Sequence, residues 1–311
     1  MAITITDALL RHLCRLSAYP INENEMLFFG LRGCVPVNPN DQTWGKTRTV
    51  NGAPLNYRNP RCVLGQWLLK TGEIAVFPGS TVPTAKYVEA AVKNEGAGTN
   101  QLFTGRYGFE KGIHKAGTAT GHRAFRQIGS RIFLRTADDP IYELSDRVDT
   151  GNPCDNLHAA YGEGLSGTYS SAGCQVVCGT PKCDNFSDSG PWVVFRDNAY
   201  KLSQNKFNYL LFDASETDRW DDDPPASGEL KIRCGSHESA LPAGQEQAIR
   251  NIQTKLKEAG FYTGTVDGDF GANSALAAIK FQRKNFGFAL ADGIVGATTG
   301  LALGVTNWQQ I

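Results

Sequence analysis

A histidine and a cysteine on either side of a glycine-rich loop are the residues of this chain best suited to covalent chemistry. From His158 to Cys174 the sequence reads HAAYGEGLSGTYSSAGC. A thiol attacks an acyl group as the thiolate, and a nearby imidazole usually lowers its pKa and takes its proton. Small residues before the cysteine would let a carbonyl approach and would leave the N–H groups of Gly173 and Cys174 free to hold an oxyanion. The predicted catalytic residues are Cys174, His158, Gly173 and Ser171, the last of which shapes the loop.

Two other interpretations of these residues remain open. Cys174 could be a buried structural thiol, as most free cysteines are. Alternatively, four members of a set of five side chains could form a closed tetrahedral zinc shell. That set is Cys154, His158, Cys174, Cys178 and Cys183. Because the tight Cys-x2-Cys pair that is typical of zinc sites is missing, we expect neither a metal nor another cofactor.

The same stretch resembles the active-site signature of the L,D-transpeptidase (YkuD-type) catalytic domain. That signature is a histidine, a loop of about this length, and then Ser/Thr-x-Gly-Cys. The matching positions are His158, Ser171, Gly173 and Cys174. The chain has Ala172 where the family usually has histidine, and Val176 where it usually has arginine. The resemblance implies a mainly β catalytic domain, a β-sandwich with short helices, that acts on peptidoglycan stem peptides through a cysteine thioester.

Candidate substrate-binding residues lie upstream, in and after a stretch rich in glycine and aromatic residues. His114 and His122 belong to this stretch and could line the cleft. Arg123 and Arg126 follow and could replace the arginine that the family has at position 176. A guanidinium binds a carboxylate through two parallel hydrogen bonds, which suits this role. The alternative is that both arginines lie on a solvated strand or turn face, as surface arginines usually do.

Length and composition limit the classes of protein to which the chain can belong. It has 311 residues, 41% of them apolar, and a formal net charge of zero. This length predicts one large or two smaller domains with a real core. Without a basic block or about 20 consecutive apolar residues, we expect neither a nucleic-acid nor a membrane partner. We expect a monomer.

The N-terminus predicts how the protein is made. Residues 1–16 have apolar residues at helical spacing and charged residues among them, which predicts an amphipathic helix. A secretory leader would have an uncharged apolar segment and a small-residue cleavage site. We therefore expect synthesis in the cytoplasm without a Sec signal, eight reduced cysteines, and action at the bacterial cell wall after release or delivery. A phage lysin or an antibacterial effector fits that expectation.

The order of apolar runs and turn residues predicts three segments. Residues 1–213 hold most of the β-strand patterns and form the catalytic domain, with an N-terminal helical extension. Residues 214–229 include a charged, proline-rich run that suits an exposed linker. Residues 230–311 change to helical periodicity and form a small domain of helices.

The C-terminal segment contains an internal repeat. Asp267-Gly-Asp-Phe-Gly-Ala-Asn-Ser274 is echoed by Asp292-Gly-Ile-Val-Gly-Ala-Thr-Thr299. Together with Ile252-Gln253, Phe281-Gln282 and the glycines around them, it resembles the three-helix peptidoglycan-binding domain over about residues 230–304. Its candidate contacts with glycan or peptide are Tyr262, Asp267 and Asn273.

The two resemblances imply one polymer, bacterial peptidoglycan. A wall-binding module would hold the enzyme on its substrate and raise the local concentration. The pattern does not choose between transpeptidation and hydrolysis. The alternatives to an enzyme are a non-catalytic wall-binding or structural protein and a zinc-stabilised wall-binding domain.

Overall fold

The computed structural model describes residues 2–94, 98–135, 139, 141–217 and 228–305. Most of the predicted linker lies outside these residues. The strands are β1 (Ala2–Thr6), β2 (Met26–Arg32), β3 (Cys34–Pro36), β4 (Thr47–Gly52), β5 (Cys62–Leu68), β6 (Glu73–Ser80), β7 (Asn100–Leu102), β8 (Gly105–His114), β9 (His122–Ile128), β10 (Arg131–Arg135), β11 (Arg147–Gly151), β12 (Leu157–Ala159), β13 (Gln175–Val177), β14 (Lys206–Asp213), β15 (Ser236–His237) and β16 (Asp269–Phe270). The helices are α1 (Asp7–Leu16), α2 (Ala85–Lys93), α3 (Pro191–Tyr200), α4 (Ala248–Glu258), α5 (Ala272–Phe286) and α6 (Ala297–Ala302).

Eight strands form the main sheet, which closes into a barrel. Its order is β12-β13-β6-β5-β2-β14-β8-β9, and Phe125 of β9 pairs with Leu157 of β12 to complete the ring. The predicted mainly β class with a C-terminal helical region is confirmed. The expected sandwich of two sheets is replaced by one closed sheet, which leaves the barrel without an edge strand to protect.

Side chains of β2 show why both faces of the barrel wall are buried. Phe28 points to a core that it shares with Phe125 and Phe195, at ring-centroid distances of 4.9 Å from each. Phe29, the next residue, belongs to a second apolar cluster that also contains Leu10 and Leu13 of α1. Successive side chains of a strand point to opposite faces, so α1 covers the outside of the strands while α3 packs against the first core.

The N-terminal prediction is wrong for its first residues. Residues 2–6 form β1, which pairs with β4, and the helix begins only at Asp7. Thr6 ends the strand and caps the helix, because its hydroxyl accepts a hydrogen bond from the Leu9 N–H at 3.0 Å. The partner strand β4 lies in a polar stretch without an apolar strand pattern, so neither strand is evident before the two are paired.

The C-terminal region contains three helices, as predicted, and two loops of the same design. Buried Gln253 of α4 accepts hydrogen bonds from the N–H groups of Asp267 and Gly268. Its amide group donates to the Asp267 carboxylate at 2.9 Å and also reaches Asp269 O and Ser274 Oγ. The internal repeat is therefore the repeat of a loop that folds around a buried glutamine.

The second loop copies this arrangement around Gln282 of α5. Its carbonyl oxygen accepts from the Gly293 N–H at 2.9 Å, and its amide reaches the Asp292 carboxylate, Ile294 O and Thr299 Oγ1. A buried side chain that satisfies a loop backbone in this way fixes the loop conformation.

Several polar contacts join the C-terminal region to the barrel. Buried Arg233 forms a two-point ion pair with Glu216, at 2.9 and 2.6 Å. The Arg106 N–H donates to Cys234 O, and the Arg283 guanidinium donates to Leu144 O at 2.6 Å. The boundary at residue 213 stays a prediction. None of the helices in the described ranges combines the length and apolar character needed to cross a bilayer.

Candidate active site

Strand pairing brings His158 and Cys174 together. His158 lies in β12, and Cys174 directly precedes β13. The two strands pair in parallel, with His158 opposite Val176. A parallel pair needs a long connection, and the glycine-rich loop supplies it. The two residues that the sequence set 16 positions apart thus meet at one end of the barrel.

A second histidine joins this pair. Ring nitrogens of His114 and His158 and the Cys174 sulfur lie within 4.8 Å of one another. The rings of His114 and His158 stack at a centroid distance of 4.0 Å and an angle of 14°. His122 stands against them, with its centroid 5.8 Å from that of His158. The β8–β9 hairpin brings both upstream histidines here, because His114 and His122 are cross-strand partners.

The partner of His158 Nδ1 prepares the ring to act as a base. Nδ1 lies 2.7 Å from the Ala159 carbonyl oxygen, which can only accept a hydrogen bond. The proton therefore resides on Nδ1, and Nε2 carries a lone pair. Burial, then the neighbouring His114 and His122, lower the pKa of His158 well below its usual value. The resting imidazole is neutral.

The surroundings of Cys174 do not favour a resting thiolate. The residue is half-buried. Loss of contact with solvent, followed by the charge of Asp155, raises the pKa of the thiol to about 12. The environment of Cys174 therefore opposes the lowered thiol pKa that a nearby imidazole is expected to give. Neutral thiol and neutral imidazole are therefore the resting forms.

The loop before the cysteine is shaped by Ser171, as predicted. Its hydroxyl donates to Cys174 O at 2.7 Å and accepts from the Gly173 N–H at 3.2 Å. The prediction that the Gly173 N–H is free for an oxyanion is therefore corrected. The Cys174 N–H makes no hydrogen bond to a described residue and stays available.

Glycine is required at position 173 by space and by backbone conformation. Its φ is +156°, and an added Cβ would lie 2.5 Å from Asp155 Oδ1 and 2.8 Å from Asn100 Cβ. Asp155 is buried, which raises its pKa to about 6, while the Asn100 amide donates to its carboxylate and opposes that shift. The nucleophile loop therefore packs directly on a buried carboxyl group.

Thr84 holds the other side of this loop. Its N–H donates to Ser171 O at 2.8 Å, and its hydroxyl donates to Tyr169 O at 2.9 Å. The Ser171 N–H donates to the same hydroxyl at 3.2 Å. The Ser-Thr-Val-Pro-Thr run that ends at Thr84 has a sequence signal, its proline turn, but only the structure shows what it contacts.

Residues with left-handed backbone flank the cluster. Lys115, Cys154 and Tyr161 have φ of +51°, +63° and +59°. They follow His114, precede Asp155 and follow His158 by three positions. Such conformations are costly for residues other than glycine and are enriched at functional sites. Three of the chain segments that meet at Cys174 are thus held in strained turns.

A groove of about 800 Å³ runs beside the nucleophile loop. Its lining includes Arg58, Lys86, Tyr87, Glu89, Tyr161 and Ser170. A groove with aromatic walls and a few polar or cationic groups suits an extended peptide with carboxylates. Sequence reasoning missed these residues, because they are spread over four segments of the chain.

The arginines that the sequence suggested as carboxylate contacts are not part of the cluster. Arg123 and Arg126 are exposed on β9, and the Arg123 guanidinium lies over the Tyr200 ring at 5.5 Å. Lys115 is an exposed cation near the site, and its charge contributes to lowering the pKa of His114. Its ammonium group lies 5.6 Å from the centre of the Tyr161 ring.

The zinc shell considered above is not assembled. Among the described residues, the metal-competent group at the site is His114, His158 and Cys174, without the other three cysteines of that set. Cys178 is buried and directs its thiol to Gly164 O, and Cys154 is exposed. Cys154, Cys174, Cys178 and Cys183 form no disulfide.

The three residues predicted to contact glycan or peptide in the C-terminal region differ in their exposure to solvent. Tyr262 is buried, and its hydroxyl donates to Thr265 O at 2.8 Å, so it is a core residue and not a surface contact. Asp267 is exposed but uses Oδ1 within its own loop. Asn273 is exposed in the first turn of α5 and stays a candidate.

One comparison with known proteins concerns this C-terminal region. Residues 245–303 match the peptidoglycan binding domain family. Among curated proteins, the N-acetylmuramoyl-L-alanine amidase CwlM of Mycobacterium tuberculosis is 39% identical over 74 residues. That match spans 24% of this chain and 18% of the relative. No solved structure matches the chain. Peptidoglycan is thereby supported as the partner, and a role at the cell wall with it.

Proposed function

We propose that the barrel is a cysteine acyltransferase or hydrolase that acts on peptidoglycan stem peptides, of the L,D-transpeptidase or L,D-peptidase type. The observation that carries the proposal is the parallel β12–β13 pair, which sets Cys174 beside a histidine with a free Nε2 lone pair. The resemblance of the His158–Cys174 stretch to the L,D-transpeptidase signature supports the same reaction. The peptidoglycan-binding domain supports the same substrate.

In the first half of the reaction, the Cys174 sulfur attacks the carbonyl carbon of a stem-peptide amide. His158 Nε2 accepts the thiol proton as the carbon–sulfur bond forms, and the carbonyl oxygen becomes an oxyanion near the Cys174 N–H. When the carbon–nitrogen bond breaks, His158 gives the proton to the leaving amine. A thioester on Cys174 remains.

In the second half, an amine or a water molecule attacks the thioester. His158 accepts the proton of the attacking group and returns it to the departing sulfur. An amine gives a new cross-link, and water gives a shortened peptide. The groove beside the loop is where the incoming stem peptide would lie. Lys115 does not line this groove, but its ammonium group lies over the ring of Tyr161, which does, and it would pair with a carboxylate there.

The amidase relative supports the polymer and not the reaction. That relative is named as an amidase of N-acetylmuramoyl-L-alanine, which is a different peptidoglycan bond, and the chain covers less than a fifth of its length. Action at the wall after release or delivery, as by a lysin or an antibacterial effector, belongs to the same proposal.

A specific observation favours a second candidate, a wall-binding protein without catalysis. The raised pKa of the Cys174 thiol means that the resting site holds no activated nucleophile. In that case the buried cluster of histidines and cysteine would only complete the barrel, and peptidoglycan would be bound without chemical change.

Product analysis separates the two functions. Purified peptidoglycan is incubated with wild type, Cys174→Ala, His158→Ala and the matched control Cys154→Ala, and the muropeptides are identified by mass spectrometry. We expect new products with wild type and Cys154→Ala only, while all four proteins sediment with the polymer. Identical muropeptides in every sample would leave wall binding as the function.

A further inference from the structure

The two stacked imidazoles beside Cys174 have hydrogen-bond partners of opposite kinds. The partner of His158 Nδ1 is a carbonyl oxygen, which places the ring proton on Nδ1 and the lone pair on Nε2. The partner of His114 Nδ1 is the side-chain amide of Asn156, at 2.9 Å. Which end of that amide faces His114 decides which nitrogen of the ring carries the proton.

The backbone of Gln127 fixes the orientation of the amide. The Gln127 N–H can only donate, and it lies 3.0 Å from Asn156 Oδ1. The NH2 group of Asn156 must then face His114, and an NH2 group can only donate. His114 Nδ1 consequently carries a lone pair, and the proton of the neutral ring is on Nε2.

The neutral form of His114 is the resting form. Burial, then the neighbouring His122 and Lys115, lower the pKa of His114 to about 4. At neutral pH the ring therefore offers one N–H group, at Nε2, and cannot act as a base there. In His158 the proton is on Nδ1 and the lone pair is on Nε2.

The oxyanion site lacks a second free backbone donor. The Gly173 N–H is bonded to Ser171 Oγ and the Asn156 N–H is directed at the Cys174 sulfur itself, so among the described residues near the sulfur the Cys174 N–H is the backbone donor without a partner. Oxyanion sites usually hold two or more donors. The oxygen of a carbonyl under attack is one bond from the carbon that the sulfur binds. One ring nitrogen of His114 lies within 4.8 Å of Cys174 Sγ, so a donor on this ring is close enough to serve that oxygen.

We infer that His114 is a further catalytic residue, whose Nε2–H donates a hydrogen bond to the carbonyl oxygen while Cys174 attacks. The inference rests on the proposed function. His114 transfers no proton, and every proton moves through His158. The same geometry disfavours a metal on this trio, because a ligating His114 Nε2 would need its proton on Nδ1, against the Asn156 NH2 group.

The test compares two reactions of Cys174 that differ in one respect. Acylation by 4-nitrophenyl acetate passes through an oxyanion, and alkylation by iodoacetamide does not. Both need the thiolate, so the ratio of the acylation rate to the alkylation rate reports on the oxyanion donor alone. Peptide mapping follows position 174, and Cys174→Ala gives the background from the other cysteines.

We expect His114→Leu to lower this ratio by about 100-fold, the order found when one oxyanion donor is removed. His114→Gln, which keeps an N–H at the end of the side chain, should recover most of the loss. Asn156→Asp keeps the ring and reverses its tautomer, so it should lower the ratio as well. His158→Ala should slow both reactions, and the distant His237→Ala neither.

Tautomers are read directly from the ring nitrogens of the folded protein by 15N NMR. We expect a protonated Nε2 for His114 and a protonated Nδ1 for His158. The opposite tautomer at His114, or an unchanged ratio in a folded His114→Leu protein, would overturn the inference, as would bound metal in the purified protein. Equal loss of alkylation and acylation would assign His114 to the thiolate instead. Because neither probe is peptidoglycan, failure of the wall assay leaves these results standing.

Discussion

The histidine cluster of the barrel and the glutamine-centred loops of the C-terminal region are both buried and polar, but they differ in how fully their hydrogen bonds are satisfied. Gln253 and Gln282 use both ends of their amides on loop backbone and side chains. In the barrel, His122 Nε2 and Trp192 Nε1 are buried without a partner among the described residues. The Cys174 N–H likewise has none there.

This difference teaches how to separate structural from functional polar residues. A network that is complete holds one conformation and has nothing to offer a ligand. A cluster with open donors and acceptors gives less to stability, and its capacity is available to a substrate. We therefore expect substitutions at the barrel cluster to change chemistry, and substitutions at the loops to change stability.

The largest effect is expected from Cys174→Ala. Product formation should fall by about 1,000-fold or more, because the covalent intermediate cannot form. Stability should change by less than about 1 kcal/mol, since the half-buried sulfur fills little of the core. The rate of muropeptide release measures the effect on product formation, and urea unfolding measures the effect on stability. If Cys174→Ala lowered the free energy of unfolding as much as a large-to-small substitution in the apolar core does, the contrast between the two regions would fail.

Gln253→Leu should lower stability and leave the chemistry of Cys174 unchanged. It leaves the N–H groups of Asp267 and Gly268 without their acceptor, and should lower the free energy of unfolding by about 3 kcal/mol. Alkylation of Cys174 should stay at the wild-type rate. Gln282→Leu serves as the matched variant and should cost slightly less, because that amide makes four of these hydrogen bonds and Gln253 makes five. A loop variant that slows the thiol and spares stability would contradict this assignment.

The pH dependence of stability should expose opposing groups inside the barrel cluster. The lowered pKa of His114, about 4 against 6.5, means that the unfolded chain takes up a proton first, so stability falls as pH drops through this window. The raised pKa of Asp155, about 6 against 3.8, has the opposite sign, and its effect is a stability lost as pH rises through about the same range.

Asp155→Asn removes the carboxyl group whose effect on the pH dependence of stability opposes that of His114. The loss of stability between neutral pH and pH about 4 should then exceed that of wild type by about 2 kcal/mol. Urea unfolding at the two pH values measures it. Parallel curves for the two proteins would show that Asp155 is not the offsetting group.

The same variant should sharpen the electrostatic account of the nucleophile. The Asp155 charge contributes to raising the pKa of Cys174. Its removal should increase the alkylation rate of Cys174 by about tenfold near neutral pH, in line with a pKa lowered by about one unit. A slower reaction would mean that Asp155 positions the loop and does not act through its charge.

The smallest effect is expected at the mouth of the site. Lys115→Gln should raise KM by about fivefold with little change in kcat, because an exposed cation contributes modestly to carboxylate binding. Arg123→Gln, on the outer face of β9, is the control and should leave both constants unchanged. If the two substitutions changed KM equally, Lys115 would not be the cation that binds the substrate carboxylate.

Much of the fold could be predicted from local pattern. The apolar runs that became β2, β5 and β6 are continuous and bounded by turn residues, and the C-terminal helices have clear periodicity. The strands β1 and β4 could not be predicted, because each is polar or short and exists through its partner. Closure of the barrel depends on the β9–β12 contact, which joins segments that no local pattern links.

The candidate site divides in the same way. The spacing of His158 and Cys174 and the small residues before the cysteine are sequence properties, and they predict a nucleophile with a base. Three other features are not sequence properties, because they depend on which strands the barrel places side by side. They are the stacking of His114, the amide contact of Asn156 and the buried carboxyl group of Asp155.

What the sequence determined by itself is the chemistry available and the polymer it serves: a thiol with an imidazole, and two loops built to fold around a glutamine. Only the tertiary structure decided which nitrogen of each imidazole carries a lone pair and which N–H groups are already used. The physical reason is that a tautomer and a pKa belong to an environment, and this environment is made by contacts between residues far apart in the chain.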